Sequence, residues 1–447
     1  MNPFSSSLFC SACILFMAGV SGTSQAFDLM QAWQSALRQD AGLAAAAEDY
    51  RAGLEHGPKG LAPLLPQVNL TGNYNHSNPI SPQPSLAGDR TRGGETHGYN
   101  VSLTQPLFDA ARFAGYREGQ IRQDAARTTY ETTLQQRMIE VAAAYFSILQ
   151  AQDTLAATEA AKTAYYNQLQ RAKTEFQIGT ATITDANEAQ AGYDSALADE
   201  IQARADLEYS QSTLTRLTGL APDDILPLAP SLPLHTPDPA TMAAWQELAM
   251  AHSLKIRAKE QALALAKQRL NEKRAGHLPV VQLTSSYLNT VSNDSAVMTA
   301  GTHRNRGHTV GVNVTLPLYS GGGVNSRVRE ATAELASARD QLEDTRRQTR
   351  EEVRKAWLGV TSGMASIRAQ QQRSLSAKSK LDSTALGKEV GIRTNLDLLQ
   401  AQQDYTNVLK DLASARYRYL NARLQLSLAA GLLDEGVLQQ INRTLQH

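Results

Sequence analysis

Two threonine–carboxylate pairs lead the residues able to do chemistry: Thr182-x-x-Asp185 and Thr394-x-x-Asp397, each shortly after a glycine, Gly179 and Gly391. A hydroxyl followed three residues later by an acidic side chain fits a capping box, in which both side chains satisfy backbone N–H groups at a helix start. The glycines fit the left-handed position that closes a preceding helix. Other reactive candidates are sparse. Nine histidines are scattered, and neither H-E-x-x-H nor G-x-S-x-G occurs. Gly321-Gly322-Gly323 is followed by Val and Asn where a phosphate-binding loop needs Lys and Ser or Thr, so it reads as a tight strand-to-helix junction. His303 and His308 are expected to share a loop, where such a pair is usually solvated rather than metal-bound. The pattern argues against an enzyme, and no metal or cofactor is expected.

The paired caps call for helices on both sides. No proline occurs from Leu107 to Ala221 or after Pro317, and both stretches are rich in helix-favouring Ala, Gln, Glu, Arg and Leu. With Asp109 and Ser320 as N-caps, helices can run to Ile178 and Val390, about 70 residues each, or on the order of 105 Å at ~1.5 Å per residue. Globular helices average about 11 to 12 residues, so these are too long for a compact domain. The return helices stop near Gly219 and Gly431, after about 37 residues. Opening helices, Asp28 to Glu55 and Ala240 to Ala275, are expected to cover the remainder, so that each long helix packs against two shorter ones stacked end to end.

The chain is an internal duplication. Ala32-Trp33-Gln34 returns as Ala244-Trp245-Gln246, and Leu65-Pro66-x-Val68-x-Leu70-Thr71 as Leu278-Pro279-x-Val281-x-Leu283-Thr284, at a shift of roughly 212 residues. The expected organisation is a signal peptide over 1–26, a first repeat over 27–221, a Pro-rich connector over 222–239, a second repeat over 240–431 and a tail over 432–447. The signal peptide is read from the apolar run Leu8 to Val20 and the small-x-small site Ser24-Gln25-Ala26. Cys10 and Cys13 admit a lipoprotein reading, but Cys13 lies inside the apolar run; both leave with the signal, so no disulfide or thiolate site is expected. Forty-three basic and forty-three acidic residues balance, which gives no support for nucleic-acid binding.

Each repeat also carries two alternating segments, Val68 to Tyr74 and Tyr99 to Thr104, then Val281 to Tyr287 and Val310 to Leu316, that can be drawn out to the roughly 9 to 11 residues of a transmembrane strand. Long polar connections, Ser77 to Thr96 and Asn293 to Gly307, fit the outer loops of a barrel, although a soluble sandwich edge has the same alternation. Four strands cannot close a membrane barrel, and an open edge in lipid leaves backbone groups unpaired, so a membrane reading forces several chains to pool their strands.

The duplicated junctions Gln105-Pro106-Leu107-Phe108 and Leu316-Pro317-Leu318-Tyr319-Ser320-Gly321-Gly322, with the hairpins Ile178 to Asp185 and Val390 to Asp397, resemble the TolC family of outer-membrane exit ducts over essentially the whole mature chain. The resemblance implies a mainly α fold with membrane β: a homotrimer sharing a 12-stranded outer-membrane barrel continued by a long periplasmic α-helical barrel. The closing segment Tyr419 to Leu433, with Gln440-Ile441-Asn442, looks most like members serving type I protein secretion.

The family places its aperture at the hairpins. By resemblance Arg393 matches a basic residue that helps hold the closed state, Asp397 matches one of two acidic aperture positions, and the other falls on Gln400; Asp185 and Glu188 hold the corresponding places in the first repeat. A three-fold axis would gather the Asp397 carboxylates into a cation-attracting constriction that raises their pKa values. Capping alone and capping plus gating both remain open for these aspartates. The implied partners are a periplasmic adaptor (membrane fusion protein) and an inner-membrane ABC transporter, or a proton-driven pump if the duct serves drug efflux; a soluble periplasmic coiled-coil adaptor is the rival reading.

Overall fold

The computed structural model describes residues 27–77, 94–221, 224–229, 231–294 and 301–445. The signal segment 1–26, most of the Ser77 to Thr96 connection, residues 222, 223 and 230 of the connector, residues 295–300 of the Asn293 to Gly307 connection, and the last two residues of the tail lie outside them. In chain order the elements are α1 (Leu29–Gln39), α2 (Ala41–Leu54), α3 (His56–Leu61), β1 (Gln67–Ser77), β2 (Gly94–Phe108), α4 (Ala110–Gln177), α5 (Ile183–Thr218), α6 (Met242–His252), α7 (Leu254–Ala275), β3 (Val280–Asp294), β4 (Gly301–Thr315), α8 (Gly323–Glu389), α9 (Asn395–Ala429) and α10 (Glu435–Asn442). None of the described helices is long and apolar enough to cross a membrane.

The four strands form one antiparallel sheet in the order β1-β2-β3-β4. Its register sorts most side chains by polarity. One face carries Leu70, Val101, Tyr287 and His308 in one row and Val68, Leu103, Ser285 and Val310 in the next, while the other carries Asn69, Ser102, Ser286 and Thr309. Val312 on the apolar face is 60% exposed, so within a single chain that face is bare. An apolar outer band over a polar interior is the side-chain arrangement of a membrane barrel wall. Among the described residues β1 and β4 each pair along one edge only, which leaves the sheet open.

Three strands run to 15 residues, longer than the alternating segments suggested. β2 continues through Pro106 to Phe108 with a bulge between them, and β3 and β4 extend to Asp294 and from Gly301. His303 and His308 therefore lie on β4, not in a loop. Five residues apart on an alternating strand, they point to opposite faces and cannot share a metal.

α4 has 68 residues and α8 has 67, so each is about 100 Å long at ~1.5 Å per residue. α5 and α9 double back along their hairpin-side halves, while α2, α3 and α7 cover the strand-side halves. At one crossing α3 and α4 touch backbone to backbone: a Cβ on Gly119 would stand 2.5 Å from the His56 carbonyl oxygen. Asp109 caps α4, accepting from the N–H groups of Ala111 and Arg112, each at 3.1 Å. Ser320 does not cap α8. The chain turns through left-handed Gly321 and Gly322, at φ 61° and 78°, and the helix starts after Gly322 without a side-chain cap.

The opening helices are each broken once. At Asp40 the backbone turns extended (ψ 114°) and the carboxylate accepts the Leu43 N–H at 2.7 Å, which ends α1 and starts α2. Ser253, at ψ 121°, separates α6 from α7 by the same extended backbone but without a side-chain cap. Beyond the breaks α1 still packs on α4 and α5 and α6 on α8, and both contribute side chains to a central core. There Trp33, Tyr145, Phe146, Tyr419 and Leu420 are fully buried together.

The two chain ends close that core. The sequence suggested a tail after Gly431, yet it folds into α10, whose Asn442 accepts the Leu29 N–H at 3.1 Å and donates to Asp28 Oδ2 at 3.0 Å. The described connector residues are non-helical. Ile225 bridges Phe27, and Leu228 bridges Leu445. Tyr145 holds its hydroxyl 3.1 Å from the carbonyls of both Phe27 and Leu226, and burial pushes its pKa well above the ordinary tyrosine value.

Candidate aperture at the hairpin tips

Both hairpins are built by one device. Gly179 and Gly391 adopt φ 81°, where an L side chain is strained, and no neighbouring atom lies within 4 Å of a Cβ placed there. The turn then closes on the last helical carbonyls: Thr180 N–H donates to Glu175 at 2.9 Å, and Ile392 N–H to Gly387 at 2.9 Å. Thr182 and Asp185 form a reciprocal capping box, with Thr182 N–H to Asp185 Oδ2 at 2.9 Å and Asp185 N–H to Thr182 Oγ1 at 3.2 Å. Thr394 and Asp397 repeat it at 3.0 and 3.1 Å.

These bonds set the charge state of the tip. The hydroxyl and N–H of Thr182 hold the Asp185 carboxyl below its ordinary pKa, with Lys388 adding a weaker pull. Asp397 is lowered first by the Thr394 N–H and hydroxyl, then by the positive charges of Arg393 and Lys380. Within one chain both aspartates are thus stabilised as anions, the opposite direction to the one that a ring of neighbouring carboxylates would impose. Arg393 is exposed and folds its stem over Gly387, where a Cβ would come within 2.7 Å of Arg393 Cγ.

Glu188 and Gln400, corresponding positions of the two repeats, meet across one cleft. They line a cavity of about 360 Å³ between α4, α5 and α9, together with Tyr165, Gly192, Leu396 and Leu399. Arg393, Asp397 and Asp185 are not among its lining residues. The five charged and amide candidates therefore divide into a cleft pair and three tip residues.

A buried polar seam joins the hairpins, and it was not evident from the sequence. The Gln168 side-chain amide donates to Asn395 Oδ1, and Asn395 Nδ2 in turn donates to the Asp185 backbone carbonyl at 3.2 Å. Tyr165 donates its hydroxyl to the Leu399 carbonyl at 3.1 Å, and burial pushes its pKa up to about 12, with Asp199 and Asp404 contributing. Lys388 reaches Glu175 at 3.8 Å and Lys410 reaches Asp199 at 3.7 Å. One sequence signal was available: Asn395 stands where the first repeat has Ile183, a polar-for-apolar exchange inside an otherwise matched hairpin. Among the described residues no cluster of three or more His, Cys, Asp or Glu is placed to hold a metal ion.

The family model described as outer membrane efflux protein matches the chain twice, over residues 32–220 and 245–432. The outer membrane protein TolC of Salmonella enteritidis is 32% identical over 441 residues, covering 96% of this chain and 87% of that protein. The proteases secretion protein PrtF of Dickeya chrysanthemi is 32% identical over 433 residues, covering 96% and 93%. The crystal structure of the outer membrane protein VceC from Vibrio cholerae superposes with a TM-score of 0.76 at 18% identity, over 90% of this chain and 96% of that one, which shows a shared fold. An apolar-faced open sheet continued by paired ~100 Å helices, matched in both halves, places the chain in the outer membrane efflux protein family, as a TolC-like exit duct of the outer membrane that extends into the periplasm.

Proposed function

We propose that the chain works as a homotrimer forming a passive, trans-periplasmic exit duct for type I protein secretion, energised by an inner-membrane ABC transporter through a periplasmic adaptor. The observation that carries the assembly is the open sheet. Four strands with two unpaired edges leave backbone groups unsatisfied in lipid at several kcal/mol each, and three chains give a 12-stranded barrel without edges. Protein cargo is supported by the similarity to a proteases secretion protein along nearly the whole chain. A signal peptide over 1–26 delivers the chain, and the division into repeats at 27–221 and 240–431, around the 222–239 connector, is supported by the two family matches. The outer-membrane limb of a drug-efflux pump, driven by protons, is the alternative.

In this reading Arg393, Asp397, Asp185, Glu188 and Gln400 form the aperture, while Gly179, Thr182, Gly391 and Thr394 shape its turns. The family and its structural neighbours are channels, and the duct carries out no reaction of its own. The assembly is tested by heat-modifiable migration of outer-membrane extracts, where a monomer at every temperature contradicts it. The cargo is tested by deleting the gene and assaying protein secretion against drug susceptibility in parallel. Loss of secretion alone supports the type I role, and drug sensitivity alone supports efflux. For the aperture, Asp397→Asn should lower cation preference in planar bilayers; unchanged conductance and selectivity would leave Asp397 with capping only.

A further inference from the structure

We propose that the outward face of β4 near its extracellular end binds the phosphate groups of a phosphorylated glycolipid in the outer leaflet. The inference rests on the barrel reading above. The alternation that places Val314, Val312 and Val310 on the lipid face continues, in unbroken register, to His308, Arg306 and Arg304. Across the sheet Arg306 stands in the row of Asn289 and Tyr99, and Arg304 in the row of Val291, His97 and Tyr74. Two guanidinium groups and two imidazoles thus share one outward patch bounded by tyrosines. Arg306 lies about nine residues above the strand's periplasmic end. At ~3.4 Å per residue and a tilt near 40° that is a height of about 23 Å, at the upper border of an apolar band about 25 Å tall.

The patch has little internal neutralisation. The carboxylate on this face, Glu95, is already engaged, 3.5 Å from His76 Nδ1 and accepting the Tyr74 hydroxyl at 3.2 Å. Among the described residues no carboxylate is paired with Arg304 or Arg306. Arginines two apart on a strand are about 7 Å from one another, and each presents a planar fork that matches phosphate oxygens in pairs. The duplication sharpens the case. At the shift of roughly 211 residues that relates the two strand-to-helix junctions, Arg306 corresponds to Glu95 and Arg304 to Gly93, so the first repeat lacks the patch and one site per chain is expected.

The test is native mass spectrometry of the mature protein extracted in mild detergent, titrated with bisphosphorylated lipid A, dephosphorylated lipid A and phosphatidylglycerol. The wild-type chain is expected to retain bisphosphorylated lipid A at least tenfold better than either other lipid, at one per chain. Equal retention of the dephosphorylated form, or of phosphatidylglycerol, would overturn the proposal and needs no variant. R304Q/R306Q should abolish the preference and R304K/R306K should keep part of it; a preference that survives R304Q/R306Q also overturns it. Trimer mobility and conductance are recorded in each case. A protein that trimerises and conducts without preferring the phosphorylated lipid defeats the lipid site alone, whereas one that never trimerises defeats the duct.

Discussion

Asn395, at the first turn of the second return helix, is buried against Gln168 of the first long helix and donates to the Asp185 carbonyl at 3.2 Å. One side chain therefore ties the second hairpin to both limbs of the first. Replacing it with isoleucine, the residue at the matching place in the first repeat, strands a buried Gln168 amide at about 1–3 kcal/mol. Asn395→Ile should leave trimer yield unchanged and raise single-channel conductance severalfold. An unaltered conductance would show that the seam carries no restraint on the tip.

Acid should loosen the tips before the core. Asp185 and Asp397 have folded pKa values below their ordinary ones, so their caps stabilise the hairpins fully above the unfolded value of about 4 and lose that contribution as pH falls through the folded values. Hydrogen-exchange protection factors over residues 178–186 and 390–398, which divide out the intrinsic pH dependence of amide exchange, should be constant from about pH 7 to 5 and fall below about 4. Protection that persists to pH 3 would contradict this.

Gly391→Ala isolates backbone strain, because nothing lies near the added methyl group while φ is 81°. The expected local cost is about 1–2 kcal/mol. It should appear as faster proteolysis at the second hairpin, with the first hairpin unaffected. Equal cleavage at both would mean that the turns are coupled.

Asn442→Ala removes two bonds at the meeting of the chain ends and leaves the buried Leu29 N–H without a partner. A loss of about 1–3 kcal/mol is expected. Trimer melting, followed by heat-modifiable mobility, should shift down, while ion selectivity stays fixed because the site is remote from the hairpins.

What was legible in the sequence was whatever the local chain decides. Alternation marked the four strands, and Gly179, Thr182, Gly391 and Thr394 located both turns, because left-handed glycines and caps act within a few residues. The breaks at Asp40 and Ser253 were not legible, since neither residue forbids a helix and tertiary packing decides where the backbone must turn extended. The seam was hidden for another reason: Gln168 and Asn395 are 227 positions apart, and no local pattern links them. His303 and His308 were misplaced because polar residues at a strand's extracellular end resemble a loop. α10 was missed because an eight-residue helix after Gly431 is stable only through the surface it covers.

The closure of the core by α10 carries a temporal consequence. Leu29 and Asn442 are separated by 413 positions, so the first helix to emerge during export meets its partner only when the last stretch has crossed. Until then Leu29, Trp33 and the ring of Tyr145 have no complete pocket to enter, and the strand edges of an unfinished chain are offered to others before its own centre is sealed. Folding of each subunit must finish after translocation, and holdase chaperones have that interval in which to act. The fold thus times its own assembly: a subunit becomes ready for association, in the proposed trimer, only once its two ends have met.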